Sequence, residues 1–350
     1  MYSEYSLDIT DIRPMKFISK LFKYIGILLL VLIAVYLLGP RSDYPTFTGK
    51  VSPLSLSLHE LEPYIQAQNA AIKNLKEDNE ARLIWADSMR KTPYALVYLH
   101  GFSASPQEGY PTNVEFAKRY GMNYYAPILA GHGVEGEDVF LTITPADWIN
   151  SAKEAIATGQ LIGEKVIVMS CSTGSTLSVY LAAENPDEIA AQIMYSPNID
   201  LHDPTSELLT MPWGEQILKQ MVGERRHSRG STEGERYKYT TQSYRVEGII
   251  ALKALIEATM TDEIFAKNKT PYFVGYWYKN EEQCDHVISI PDIEYFDEHT
   301  TTPKDQKWLM AFPNANTHVV PSGLHNNDLK TVQKATYDFA ENVLGLKAIK

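Results

Sequence analysis

Hydrophobic and polar residues alternate along this chain in blocks of two periods. Short β-branched or aromatic runs of four to eight residues lie at 81–86, 94–100, 123–128, 166–169, 191–195, 271–278 and 308–312, the length and composition of buried strands. Between them fall segments with helical spacing at 113–120, after 144, after 173 and at 328–344. Thr144, Pro145 and Asp147 form a helix start of the expected kind: a cap residue, a proline at the first position and an acid in the first turn. Strand and helix alternating from 81 to 200 predict a mostly parallel sheet covered on both faces. The pattern breaks at 201–270, with an apolar patch at 208–221, a charged loop at 224–238 and a helical pattern at 246–260, and then resumes. An excursion placed between two strands of one sheet reads as a helical lid over the strand ends.

The N-terminal part has a different pattern. Residues 24–39 carry no charge, and Arg13, Lys16, Lys20 and Lys23 precede them. If the last two lysines extend toward lipid headgroups, the apolar span starts near Leu21 and reaches the ~20 residues that a bilayer requires. A cleaved leader is the rival, but the run ends in Gly39, Pro40 and Arg41 without a small-x-small site. The excess of basic residues before the span predicts a cytoplasmic N-terminus and an extracytoplasmic domain, periplasmic in a Gram-negative cell. The expected organisation is a cytoplasmic segment over 1–20, a transmembrane anchor over 21–39, and a tether with a docking helix over 40–80. A core over 81–200 and 271–350 follows, with the lid inserted at 201–270.

Composition narrows the function. The 350 residues are 44% hydrophobic and 21% charged, a folded chain long enough for one large domain with an insertion. A net charge of -11, with no basic block in the globular part, argues against general nucleic-acid binding. Cys171 and Cys284 provide neither zinc spacing nor a disulfide framework.

The candidate chemistry centres on 165–182, an apolar strand that passes through Ser170, Cys171, Ser172, Thr173 and Gly174 into a helix. A sharp strand-to-helix turn presents its central serine as a nucleophile and leaves little room two positions to either side, which is why the usual form is G-x-S-x-G. Here Ser170 stands at the first glycine position, small enough to fit at the cost of slightly more strain at Ser172. A serine hydroxyl needs a histidine to take its proton, and that histidine needs a carboxylate. His318, in the loop after the strand at 308–312, is the candidate base, ahead of His325 at the entry to the last helix and His286 in the acid loop. For the acid, the loop after 271–278 offers Asp285, flanked by Val287 and Ile288, which can anchor it. Glu281 and Glu282, in a polar run, are the alternatives, and Asp292 lies further along. Oxyanion donors would be the backbone N-H groups of Phe102 and Thr173. His100 and His132, each beside a glycine, are expected to shape loops rather than react.

LHGFSAS at 99–105, LAGHG at 129–133, SCSTG at 170–174, the Asp285–Ser289 run and the asparagine-rich run ending at His318 together resemble the serine α/β-hydrolases. The monoacylglycerol lipase, bacterial carboxylesterase and serine aminopeptidase-like groups are the nearest in pattern. The resemblance covers about 80–347. It implies the α/β-hydrolase fold and acyl transfer to water through an acyl-enzyme on Ser172, with no metal and no organic cofactor. The expected function is hydrolysis of an acylglycerol or similar small apolar ester at a membrane. The rivals are a proline-iminopeptidase-like peptidase, which would use Glu207, Glu215 or Glu224 of the lid to hold an α-amino group, and a non-catalytic binding module. The module would be expected to lack a member of the triad, and all three are present in order. Within the lid, Met211, Trp213 and Leu218 are candidate acyl-chain contacts. On a helix begun near Pro212, residues 213, 217, 218, 221 and 222 share a face, which would either roof the pocket above Ser172 or pack on the sheet domain.

Overall fold

The computed structural model describes residues 13–227 and 235–349, with the side chains of 13–17 and 236 left aside. Its centre is a seven-stranded sheet. The strands are β1 (Arg82–Ile84), β2 (Thr92–Leu99), β3 (Asn123–Ala126), β4 (Gly163–Cys171), β5 (Ile189–Tyr195), β6 (Tyr272–Tyr276) and β7 (Lys307–Ala311), in the order β1-β3-β2-β4-β5-β6-β7. All neighbours are parallel except β1, which runs antiparallel to β3. Successive side chains on a strand face opposite ways, so a strand buried on both faces must be apolar throughout. In β4, Val166 and Val168 enter one core and Ile167 and Met169 the other, all four fully buried.

The first core is closed by α4 (Pro145–Ile162) and α5 (Thr173–Glu184), the second by α3 (Thr112–Arg119) and α10 (Leu329–Asn342). The start of α4 is the one the sequence leads to: Asp147 N-H donates to Thr144 Oγ1, and Asp147 Oδ2 accepts from the Thr144 N-H in return. Expected strands at 81–86 and 271–278 are shorter in the structure, because Ala86 falls in a bend and Trp277 separates β6 from a short strand at Tyr278–Asn280.

Before the sheet, α1 (Arg13–Leu37) stands free of the domain over most of its length, and α2 (Leu58–Ala71) docks on it by burying Leu61 and Ile65. Tyr64 and Gln68 of α2 donate to Glu154 of α4 at 2.8 and 2.6 Å. The insertion after β5 contains α6 (Gly214–Val222), an antiparallel pair, Arg225–His227 with Ser243–Arg245, and α7 (Glu247–Thr259). Of two further helices, α8 (Asp262–Lys267) packs beside α5, and α9 (Ile290–His299) packs beside α8.

Candidate active site

Parallel sheets of this kind present their working groups at the carboxyl ends of the strands. The turn after β4 carries Ser172, the loop after β6 carries Asp285, and the loop after β7 carries His318. A hollow of about 610 Å³ between Tyr94, Glu164, Lys165 and Lys269 lies at the opposite, amino-terminal ends of the strands, away from these three residues.

The turn at Ser172 is strained. Ser172 holds φ 51° and ψ -120°, a conformation that costs a non-glycine residue on the order of 1–3 kcal/mol and is held by the bonds around it. Its N-H donates to Tyr195 O at 3.0 Å, and its carbonyl accepts from the Ser175 N-H at 2.8 Å. Gly174 makes the turn possible, since a Cβ there would fall 2.0 Å from Leu99 O, a backbone atom that cannot give way. Ser170, at the position where glycine is usual, is fully buried and its hydroxyl pairs with that of Ser175 at 3.0 Å. The departure from the usual motif thus ties the strand to the first turn of α5.

Asp285 and His318 meet directly, His318 Nδ1 lying 2.6 Å from Asp285 Oδ2. Asp285 is 1% exposed, and the Val287 N-H donates to its other oxygen at 3.0 Å. Burial pushes the Asp285 pKa up, but the charge and hydrogen bond of His318 and the Val287 N-H outweigh it and leave the carboxyl below its ordinary value. Burial likewise pulls the His318 pKa down, and Asp285 outweighs it with smaller help from Glu108, leaving the imidazole above its ordinary value. No direct hydrogen bond joins Ser172 Oγ to His318, a common state of such a site before substrate is bound.

Thr173 is the first residue of α5, so its N-H has no partner within the helix. Phe102 N-H is likewise outside the backbone bonding of the described residues. The turn that carries Phe102 is held from below by His100, which accepts the Leu129 N-H at Nε2 (3.1 Å) and donates from Nδ1 to Gly101 O (2.9 Å). Those two bonds require the neutral imidazole, and burial holds its pKa down to about 4. His132 packs edge-on to His100 and against Phe102 and Phe140. Both histidines shape the loop.

Two residues that the sequence reading did not single out adjoin this turn. Glu108 Oε2 accepts the Gly101 N-H at 2.8 Å, and the lid places Tyr244 edge-on to the Phe102 ring at 5.1 Å. A glutamate eight residues past a histidine-glycine pair has no local signature, and Tyr244 reaches Phe102 only through the fold of the lid.

The lid residues expected at the acyl chain are placed elsewhere. α6 starts at Gly214 rather than near Pro212, and Trp213 sits ahead of it in the left-handed region with φ 67°. Its indole Nε1-H donates to Val35 O at 3.1 Å and its N-H to Pro40 O at 2.9 Å, both at the end of α1. Met211 Sδ accepts from the Tyr36 hydroxyl at 3.5 Å. Leu218 is half-buried, while Ile217 and Met221 on the same helix are 45% and 76% exposed. None of the α6 side chains joins either core cluster beside the sheet, so the amphipathic face of this helix does not pack on the sheet core. It flanks the point where the apolar N-terminal helix reaches the domain, because α1 occupies Trp213 and Met211.

The lid carboxylates that an amine-binding site would use are engaged with cations. Glu207 pairs with Lys253, Glu215 with Lys219 at 2.7 Å, and Glu224 with Arg245 at 2.6 Å. Among the described residues, no group of three or more His, Cys, Asp or Glu is arranged to hold a metal ion.

No family model matches the chain. A curated thermostable monoacylglycerol lipase from Bacillus sp. (strain H-257) is 34% identical over 95 residues, a match spanning 27% of this chain and 37% of that protein. Solved structures match over most of the length at low identity. A structure of the metagenome-derived lipolytic enzymes LipS and LipT superposes with a TM-score of 0.61 at 19% identity, covering 76% of this chain and 98% of that one. A soluble variant of the Saccharomyces cerevisiae monoglyceride lipase gives 0.57 at 13% identity, covering 87% and 99%. The monoacylglycerol lipase of Paleococcus ferrophilus gives 0.52 at 12% identity, covering 74% and 96%. The chain has the α/β-hydrolase fold that these lipolytic enzymes share.

Proposed function

We propose that this protein is a membrane-anchored serine hydrolase that cleaves carboxylic esters through an acyl-enzyme on Ser172, with His318 as base and Asp285 as its orienting acid. The observation that carries the reading is the contact of buried Asp285 with the partly exposed His318, at 2.6 Å, set at the same strand ends as a serine held at φ 51°. Asp285 on Nδ1 leaves Nε2 unprotonated and free to accept the Ser172 hydroxyl proton as Oγ attacks the ester carbonyl carbon. The oxygen that gains the charge is received by the Phe102 and Thr173 N-H groups. His318 then returns the same proton to the leaving alcohol as the C-O bond breaks. A water, deprotonated by His318, attacks the acyl-enzyme, and release of the acid restores the serine.

The substrate class is an acylglycerol or a similar small apolar ester. Monoacylglycerol and lipolytic enzymes recur among the proteins with which the chain shares sequence or fold, and the three carboxylates expected to hold an ammonium group, Glu207, Glu215 and Glu224, are each already paired with a cation. A panel of p-nitrophenyl esters, a monoacylglycerol and aminoacyl amides offered to the full-length protein in detergent tests this. Ester turnover that disappears in Ser172→Ala, with amides left intact, is expected; amide turnover exceeding ester turnover would assign the peptidase function instead.

A further inference from the structure

Glu108 is not among the residues that the proposed mechanism uses, yet it occupies the ground between all of them. It lies in the short turn Pro106–Gly109 that follows the Phe102 turn, and this turn packs so closely on β2 that a Cβ on Gly109 would meet the Tyr98 ring at 2.5 Å. From there Glu108 Oε2 accepts the Gly101 N-H at 2.8 Å and the Tyr98 hydroxyl at 3.0 Å. Tyr98 is fully buried on β2, so the acceptor is pinned to the rigid sheet. The peptide it holds immediately precedes Phe102, whose N-H is one of the two oxyanion donors in the reading above.

The other oxygen lies beside Gly101, which Ser172 also adjoins. The point where a Cβ on Gly101 would stand is 3.0 Å from Glu108 Oε1 and 3.1 Å from Ser172 Cβ, so the carboxyl and the serine flank the same glycine. The titratable groups around the carboxyl are Tyr98 from β2, Cys171 from the end of β4 and His318 from the loop after β7. Among the described residues, no cation other than His318, when protonated, acts on it. Burial raises its pKa to about 7, against the opposing pull of the Gly101 and Tyr98 donors and of His318.

We infer that Glu108 is a positioning residue of the hydrolytic site: its carboxyl ties the oxyanion turn to β2. The inference rests on the catalytic reading of Ser172 and His318. Its hydrogen bonds and its charge separate by substitution. Glu108→Gln keeps a carbonyl oxygen for Gly101 and Tyr98 but removes the charge, whereas Glu108→Ala removes both. With p-nitrophenyl acetate and the full-length protein in detergent, Glu108→Gln should retain kcat within about threefold. The acid limb of its kcat/KM profile should move to lower pH, because His318 loses a negative neighbour that favours its protonation. Glu108→Ala should lose about ten- to a hundredfold in kcat with KM little changed, since a displaced N-H acts on the transition state more than on the bound ester. If Glu108→Ala does not fold, Tyr98→Phe frees the carboxyl from one of its two donors and should lower kcat in the same direction. An unmoved acid limb in Glu108→Gln together with unchanged kcat in Glu108→Ala or Tyr98→Phe would overturn the inference. Ser172→Ala assayed in parallel separates this from failure of the mechanism itself, which would show as ester turnover surviving in that variant.

Discussion

At the residue scale, the Asp285–His318 pair links activity, stability and pH. The carboxyl is held below its ordinary pKa, so it contributes stability above its unfolded value of ~3.9 that is lost as pH falls through the lower folded value. The imidazole is held above its ordinary pKa, so its contribution is fully present below ~6.5 and fades as pH rises through the higher folded value. Stability from the pair is therefore greatest between those limits, whereas catalysis needs the neutral base and rises on the upper side. Asp285→Asn should lower kcat by about 10³- to 10⁴-fold and should shift the acid limb of the rate profile down, as His318 loses its anionic partner. Stopped-flow hydrolysis of p-nitrophenyl acetate across pH 5–9 measures both. The residues of this pair could be proposed from sequence because each follows a strand and Val287 and Ile288 mark the acid loop. Glu108 was not legible, since its importance lies in the distance to Gly101 and Ser172 across a fold that no local pattern encodes.

At the element scale, the turn between β4 and α5 depends on backbone approach. Gly174→Ala would bring a methyl within 2.0 Å of Leu99 O, and its relief requires α5 to move off β2. It should destabilise the protein by at least ~2 kcal/mol, read as a lowered denaturation midpoint, whereas Ser170→Gly, which loses only the bond to Ser175, should cost about 1 kcal/mol. The strand-turn-helix was readable because an apolar β-branched run stops at a cluster of small residues. The partner of α6 was not: an amphipathic face states that a surface has apolar character, and Trp213 meets α1 only because Gly39 has no side chain. A Cβ there would fall 2.0 Å from the indole Nε1.

At the scale of the whole molecule, the chain joins a domain of the α/β-hydrolase fold to an N-terminal helix that is, among the described residues, the one long and apolar enough over Ile18–Leu37 to cross a membrane, and that is buried nowhere along that stretch. A cleaved leader passes the same test of length and composition. The account proposed here is an anchor with its N-terminus in the cytoplasm, supported by the preceding lysines and by the clasp of Trp213 on Val35 and Pro40, which a removed leader would leave empty. The intact protein should remain in the membrane pellet after a carbonate wash, and residues beyond Arg41 should be open to protease added outside the cell. A mature N-terminus found between residues 39 and 50 would show cleavage instead. The layered sheet and its two cores were legible from the alternation of periods, because each strand buried on both faces must be apolar throughout. How the lid and the N-terminal helix meet depends on contacts 170 or more residues apart in sequence, beyond the reach of any local pattern.

The central claim is that Ser172 becomes covalently acylated. Treating the full-length protein with a fluorophosphonate and mapping the adduct by peptide mass spectrometry tests it most directly. The account predicts one equivalent of label on the peptide containing Ser172, lost in Ser172→Ala and slowed several orders of magnitude in His318→Ala. Label on any other residue, or unchanged ester hydrolysis by Ser172→Ala, would contradict it.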